Sequence, residues 1–487
     1  MVKARHHHHD ITYHIGNVAG MFATMLALVA VLGQKLLDGS SRPCVAPDKQ
    51  CLLPSASLEW AQYSPFAPAP SVIDAATPAG CRLTFGSVLS RHGSRFPTRR
   101  MAEDKYAPLF EHLQRSVTEF GPGFEFLRDF EPDPRYDELT ALGKLEMVES
   151  GRAFFHRYRD LASSTRVFIR AAGSDRVIMS AQNFTQGFSA AQDRDPSDAM
   201  AGILIIPEEE GVNNTLDHSG CPAFEDGPAA DVRAEKQKPW KKMWATPIME
   251  RLNDNLPGAN LSLSQAIYMM DQCPYNSVIE PDTPMSDFCN LFSRDEWRDY
   301  GYHHSLSKWY GYGNGNPLGP TQGVGYVNEL IARLTGRPVL DHTKSNSTLD
   351  ADPKTFPLDR TLYADFSHDN TMTSIYGALG LYNATRDLPL THRLSPEEAN
   401  GYSAAWTVPF AARMYVEKMR CGDDDKEMVR ILVNDRVVPL QGCGADALGR
   451  CSLDAFIGSL TFARAGGWWD ICSEETEERS RAIRTSS

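Results

Sequence analysis

Three stretches of this chain repeat one plan: an apolar run, a short polar cluster, then a pattern of helical period. "CRLTFGSVLSRHG" alternates Leu83, Phe85 and Ser87 and ends at Arg91 and His92, which predicts a buried strand running into a loop. "STRVFIRAAGSDRVIMSAQNFTQGF" predicts a strand over 166–171. Gly173 and Ser174 end it, and a helix carrying Val177, Ile178, Ala181, Phe184 and Phe188 follows. "RTLYADFSHDNTMTSIYGALGL" predicts a strand over 362–366, then Ser367, His368 and Asp369, then a helix ending at Gly380, with Ser367 and Asp369 as candidate caps. Alternation of this kind implies an α/β sheet with helices on both faces. Ligands of such sheets sit beyond the carboxyl ends of the strands. The three clusters there are Arg91, His92 and Arg95; Arg170; and His368 with Asp369.

The remainder of the chain reads differently. Residues 34–80 form an irregular arm rich in Pro, Ala and Ser. The segments 100–160 and 205–335 carry helical patterns such as "KPWKKMWATPIMERLNDNL", which predict an inserted, mainly α lobe over the sheet edge. "GYGNGNPLGPTQGVG" has neither GK[ST] nor a preceding strand, so it reads as a turn-rich entry to a helix at Val324 and not as a nucleotide loop. The layout expected is a targeting segment over 1–43, one catalytic domain over 44–472 and a disordered tail over 473–487.

The composition is that of a globular protein: 487 residues, 42% hydrophobic and 23% charged, with a net charge of -13. A uniformly anionic chain excludes nucleic acid as partner. Its field also repels an anionic substrate at neutral pH and less so in acid, which suits a pocket of arginines working at low pH. The ten cysteines show no C-x-x-C and no zinc-like spacing with histidine, so a metal reading is weak, and their even count predicts five disulfides and an oxidising compartment. Sequons at Asn183, Asn213, Asn260, Asn346 and Asn383 agree with N-glycosylation. The apolar run 15–33 follows Lys3 and Arg5 and is long enough for a membrane span, so a signal-anchor and a cleaved signal both remain open; either sends the domain into the secretory route. The tract His6 to His9 reads as a solvated tail.

Arginines and histidines converging on strand ends describe a site for a tetrahedral oxyanion, because the guanidinium fork bonds two phosphate oxygens at once. His92 lies among those arginines, which favour its neutral, nucleophilic form. Attack on phosphorus would give a phosphohistidine that water hydrolyses. Asp369 is the donor for the leaving alkoxide, with its acid form expected to be populated at low pH.

"RHGSRFPT", "FIRAAGSDRV" and "FSHDN" resemble the signatures of the histidine acid phosphatases, and most closely the fungal phytases, over about Cys44 to Cys472. The resemblance implies a phosphoglycerate mutase-like α/β fold with an α insertion and a monomeric phosphomonoesterase acting on inositol hexakisphosphate. It implies His92 as nucleophile, Asp369 as proton donor, and Arg91, Arg95, Arg170 and His368 as the phosphate clamp. Lys105, Asp271 and Lys308 match positions that grip the other phosphates of the substrate, aided by Arg99 and Arg100. Ser307 stands where the pattern often has a second lysine, and Arg233, Ala234 and Glu235 stand near where it often has a glutamate. These departures keep a broad acid phosphatase open as the alternative. The implied disulfides are Cys44–Cys51, Cys81–Cys421, Cys221–Cys472, Cys273–Cys289 and Cys443–Cys451. Two further readings carry less. An idle phosphate-binding domain on a membrane stalk would not keep both His92 and Asp369. A mutase-like transferase, which shares the R-H-G start, would not need the secretory features.

Overall fold

The computed structural model describes residues 58–163 and 166–472. Their strands are β1 (Cys81–Arg91), β2 (Phe168–Ala172), β3 (Leu204–Ile206), β4 (Leu362–Ser367), β5 (Arg413–Cys421), β6 (Lys426–Val433), β7 (Arg436–Val437) and β8 (Arg450–Ser452). They form one sheet in the order β3-β2-β4-β1-β5-β6-β7, with β8 also on β6. From β3 to β1 the pairing is parallel; β5 returns antiparallel beside β1. The parallel part is buried on both sides, as its near-continuous apolar runs require.

The helices of ten residues or more are α1 (Ala107–Ser116), α2 (Ala141–Arg157), α3 (Asp175–Ala191), α4 (Pro228–Asn255), α5 (Leu263–Ser277), α6 (Arg294–Tyr312), α7 (Val324–Thr335) and α8 (Asp369–Ala378). One sheet face is covered by α2 and α3: Phe366 of β4 meets Phe184 of α3 with ring centroids 5.1 Å apart, and Phe154 of α2 stacks on Tyr415 of β5 at 6.1 Å. The other face is covered by α7, whose Tyr326 and Arg333 bond Asp365 of β4. Helices therefore lie on both faces, as the alternation implied.

The inserted lobe is smaller than 100–160 plus 205–335. It consists of α1 with α4, α5 and α6, joined by pairs such as Trp240–Tyr302 and the hydrogen bond from Tyr106 to Asp271. α2 and α7, inside those ranges, belong to the sheet. Glycine explains why α2 does: a Cβ on Gly151 would lie 2.0 Å from the Phe184 carbonyl oxygen, so the α2 and α3 backbones touch. Four of the five implied disulfides are present, Cys81–Cys421, Cys221–Cys472, Cys273–Cys289 and Cys443–Cys451. Cys44–Cys51, the tract His6 to His9, the apolar run 15–33 and the tail 473–487 lie outside the described residues. Among the described residues no helix is long and apolar enough to cross a membrane. The glycine-rich stretch leads through a 3₁₀ turn (Pro320–Gly323) into α7 at Val324, as read.

Candidate active site

β1 and β4 run parallel, and Arg91 at the end of one is registered with Ser367 at the end of the other. The residues that follow, His92 and His368, therefore leave the sheet side by side, with rings 5.9 Å apart. The signature loop after β1 is seated by backbone contacts. Thr140 N donates to Ser94 O at 3.0 Å, and Ser94 N donates to the buried Glu146 Oε2 at 2.8 Å.

His92 is 1% exposed. Its Nδ1 lies 2.9 Å from Gly93 O, an acceptor only, so Nδ1 carries the hydrogen and the Nε2 lone pair is left free. Burial, then the charges of Arg91, Arg95 and Arg176, holds the ring well below the ordinary histidine range. The ring is thus neutral and nucleophilic in acid.

Arg91 is fully buried, anchored by Nη1 to the carbonyls of Gln62 and Val408, with Phe410 against its guanidinium at 4.6 Å. Arg95 donates to Phe96 O and lies near the Tyr275 ring. Arg176 opens α3 and reaches His368 Nδ1 at 3.5 Å and Asp137 at 3.3 Å. Among the described residues the buried Nε of each of these three arginines finds no hydrogen-bond partner. Three uncommitted guanidinium donors beside a neutral imidazole suit the oxygens of an anion.

Arg170 does not join them. Its Nε donates to Asp365 at 2.8 Å and its Nη2 to Glu329 at 2.6 Å, both buried carboxylates. The reason is register. Arg170 lies within β2, opposite Asp365 of β4 and toward α7, whereas the pocket lies past the strand ends. Arg176, in the same quoted stretch but after the strand, takes the place expected of Arg170. The signal was available in its position at a helix start beyond a strand end.

Asp369 begins α8, and its carboxylate bonds Arg91 (3.1 Å) and Lys308 Nζ (2.7 Å). Neither it nor Ser367 caps the helix: His368 is the N-cap without a side-chain bond, and Ser367 Oγ donates to Leu216 O. Burial raises the Asp369 pKa, but Arg91 and Lys308 together drive it well below the carboxylate range. The resting residue is therefore a carboxylate even in acid, not the acid form expected from sequence.

Lys308 is buried, gives Nζ to Asp369 and Asn370, and is brought down by burial to about 8. It belongs to the floor of the site and is not a free wall cation. Asp271 is 3% exposed and accepts from Tyr300 (2.6 Å) and Tyr106 (3.0 Å), because it falls on the inward face of α5. It is not on a solvent-facing wall. Lys105 is partly exposed on the turn Ala102–Tyr106, Arg99 is paired with Glu103, and Arg233 is exposed with Nη1 bonded to Tyr312 OH. A cavity of about 560 Å³ elsewhere, whose lining includes Leu58, Glu59, Arg294, Arg298, Arg393 and Trp406, has its arginines paired with Glu59, Asp295 and Asp299 and so offers no comparable anion site.

The fold and the site define a class. Residues 82–434 match the model of the histidine phosphatase superfamily (branch 2), and the chain belongs to that family. Among relatives, it is 46% identical over 456 residues to Phytase A of Aspergillus oryzae, covering 91% of this chain and 97% of the relative. Phytase A of Emericella nidulans is 48% identical over 430 residues, covering 87% and 92%. In fold it is similar to the crystal structure of the phytase from D. castellii, with a TM-score of 0.72, 20% identity and coverage of 90% and 94%.

Proposed function

We propose that the protein is a phytase, a phosphomonoester hydrolase that removes phosphate from inositol hexakisphosphate through a phosphohistidine on His92 in acid. The observation that carries this is the set of Arg91, Arg95 and Arg176, whose buried Nε donors have no partner among the described residues and whose charges act on the His92 ring. The relatives named above, at 46–48% identity, supply the substrate class.

In the first step His92 Nε2 bonds to phosphorus while the bond from phosphorus to the ester oxygen breaks. The arginines hold the charge spread over the three remaining oxygens. The leaving oxygen takes a proton from Asp369. Asp369 rests as a carboxylate, so that proton has to arrive with the substrate. A phosphate ester below its second pKa of about 6 is a monoanion that carries one. The bound anion also competes for Arg91, which weakens the grip that keeps Asp369 ionised. In the second step water attacks phosphorus, Asp369 accepts its proton and the bond from phosphorus to nitrogen breaks.

The secretory route is the compartment this reading implies; the four disulfides and the exposed sequon residues Asn213, Asn260 and Asn383 support it.

Phosphate release from inositol hexakisphosphate and from p-nitrophenyl phosphate, scanned over pH for wild type and His92→Ala, tests the reading. The variant should fold and retain less than about a hundredth of wild-type turnover, as for loss of a covalent nucleophile. Greater retention would overturn the role of His92. One observation favours a broader acid phosphatase: Lys308 is engaged at the catalytic carboxylate, leaving few cations for peripheral phosphates. Ser307→Lys separates the two. On a phytase wall it lowers KM for inositol hexakisphosphate several-fold, since one exposed charge pair is worth about 0–1 kcal/mol, and the effect fades with salt. A KM that shifts equally for p-nitrophenyl phosphate, or not at all, argues for the broader enzyme.

A further inference from the structure

His368 has two nitrogens that face different partners. Nε2 lies 2.8 Å from Glu208 Oε1 and 3.5 Å from Ser174 Oγ, and Nδ1 lies 3.5 Å from Arg176 Nη2. Glu208 sits just past β3 at the sheet edge, and its Oε1 also accepts from Ser174 N at 3.1 Å. One carboxylate thus ties the start of α3 to the start of α8. The other titratable and charged groups around the ring are His92 across the pocket, Arg176 with its partner Asp137, and, near Glu208, Asp217 with Lys344 at 3.9 Å. Asp369 is adjacent in sequence, but its carboxylate is turned to Arg91 and Lys308.

A carboxylate only accepts, so Nε2 must carry a hydrogen and donate to Glu208. With Nδ1 bare, the ring accepts from Arg176 and turns a lone pair toward the pocket, which repels a phosphate oxygen. With Nδ1 protonated as well, the imidazolium donates to Glu208 on one side and to the anion on the other. Arg176 is then free to turn its own donor to the same anion. We propose that Glu208 is a positioning residue for the phosphate clamp: accepting from His368 Nε2, it fixes the hydrogen there and holds the ring with Nδ1 beside Arg176, where the two side chains meet the anion together. The proposal rests on the reading of this pocket as a phosphate site. Glu208 itself fits: burial would raise its pKa, yet the hydrogen bond and charge of His368 bring it below the usual carboxylate value.

The test is inorganic phosphate binding to the full chain by calorimetry across the acid-to-neutral range, for wild type, Glu208→Gln and Glu208→Asp. Gln keeps the size and the acceptor for Ser174 N while removing the charge. Affinity should stay close to wild type at the acid end and fall about tenfold as pH rises, the binding limb moving down by about one unit, the low end for loss of a nearby opposite charge. Asp restores charge at shorter reach and should return the limb toward its wild-type position, even if binding is weaker throughout. Weakening by one factor at every pH, or a limb unmoved in Glu208→Gln, would overturn the proposal. Should Gln fail to fold, Asp decides alone: a limb that moves although the charge is kept would count against it. Because binding is read without turnover, a wild type that binds phosphate but hydrolyses nothing refutes the enzyme reading and leaves this test intact.

Discussion

Arg170 and Arg176 occupy one short stretch and do opposite work. Arg170 is enclosed with Asp365, Glu329 and Arg333, a buried network in which Arg333 Nη1 reaches Asp365 at 2.5 Å and the Asp365 carboxyl is held at about 2. Removing one partner of such a network leaves a buried charge exposed to low dielectric, at a cost of about 3–5 kcal/mol. Arg170→Ala should therefore lower Tm sharply while the folded fraction keeps its KM. Arg176→Ala should leave Tm nearly unchanged and raise KM for p-nitrophenyl phosphate. Paired melting and kinetic measurements check this, and the reverse pattern would restore Arg170 to the clamp. Asp369→Asn should harm inositol hexakisphosphate turnover more than p-nitrophenyl phosphate turnover, because nitrophenolate leaves with little need of a proton. Equal losses would argue against the donor role. At this scale "RHG" and "HD" were legible because neighbours in sequence leave a strand end together. Glu208 was not, because its role depends on where another loop arrives, and Arg176 left only its place at a helix start beyond a strand end as a sign.

The start of α2 is pressed into the signature loop. Thr140 Oγ1 accepts from Gly143 N at 3.1 Å, the expected capping geometry, and a Cβ on Gly143 would lie 1.9 Å from Ser94 O. Gly143→Ala must push a backbone carbonyl aside, so the loop that bears His92 shifts; kcat on p-nitrophenyl phosphate should fall by about tenfold or more, as positioning errors near 1 Å do. A wild-type kcat would show that the loop is not seated by this contact. α5 offers a pH test. Burial raises the Asp271 carboxyl to about 6, against about 4 in the unfolded chain. With the folded value raised, its contribution to stability is complete below about pH 4 and is lost as pH rises through about 6. Asp271→Asn should flatten the change of Tm over that window and leave KM for inositol hexakisphosphate unchanged; a raised KM would return Asp271 to the substrate wall. The helical period of α5 could be read from the sequence, but which face turns inward was set by the lobe that packs on it.

Across the molecule, the bond Cys81–Cys421 joins residues directly opposite each other on β1 and β5, 340 apart in sequence. It holds the strand that leads to His92 against the antiparallel half of the sheet. On the chain-entropy account a loop this long contributes about 6 kcal/mol. Replacing both cysteines with serine should lower Tm by several degrees and speed unfolding in denaturant; a transition unmoved by the change would show that the sheet alone sets the register. The sequence by itself determined the alternating sheet, the two histidines at adjacent strand ends and the acid beside one of them, because each is written in residues that are neighbours along the chain. The tertiary structure alone decided that Arg176 and not Arg170 faces the pocket, that Lys308 keeps Asp369 ionised, and that Glu208 stands behind His368. Those outcomes turn on strand register, on which face a side chain takes and on charges brought together from distant segments, and the low dielectric of the buried site gives them their weight.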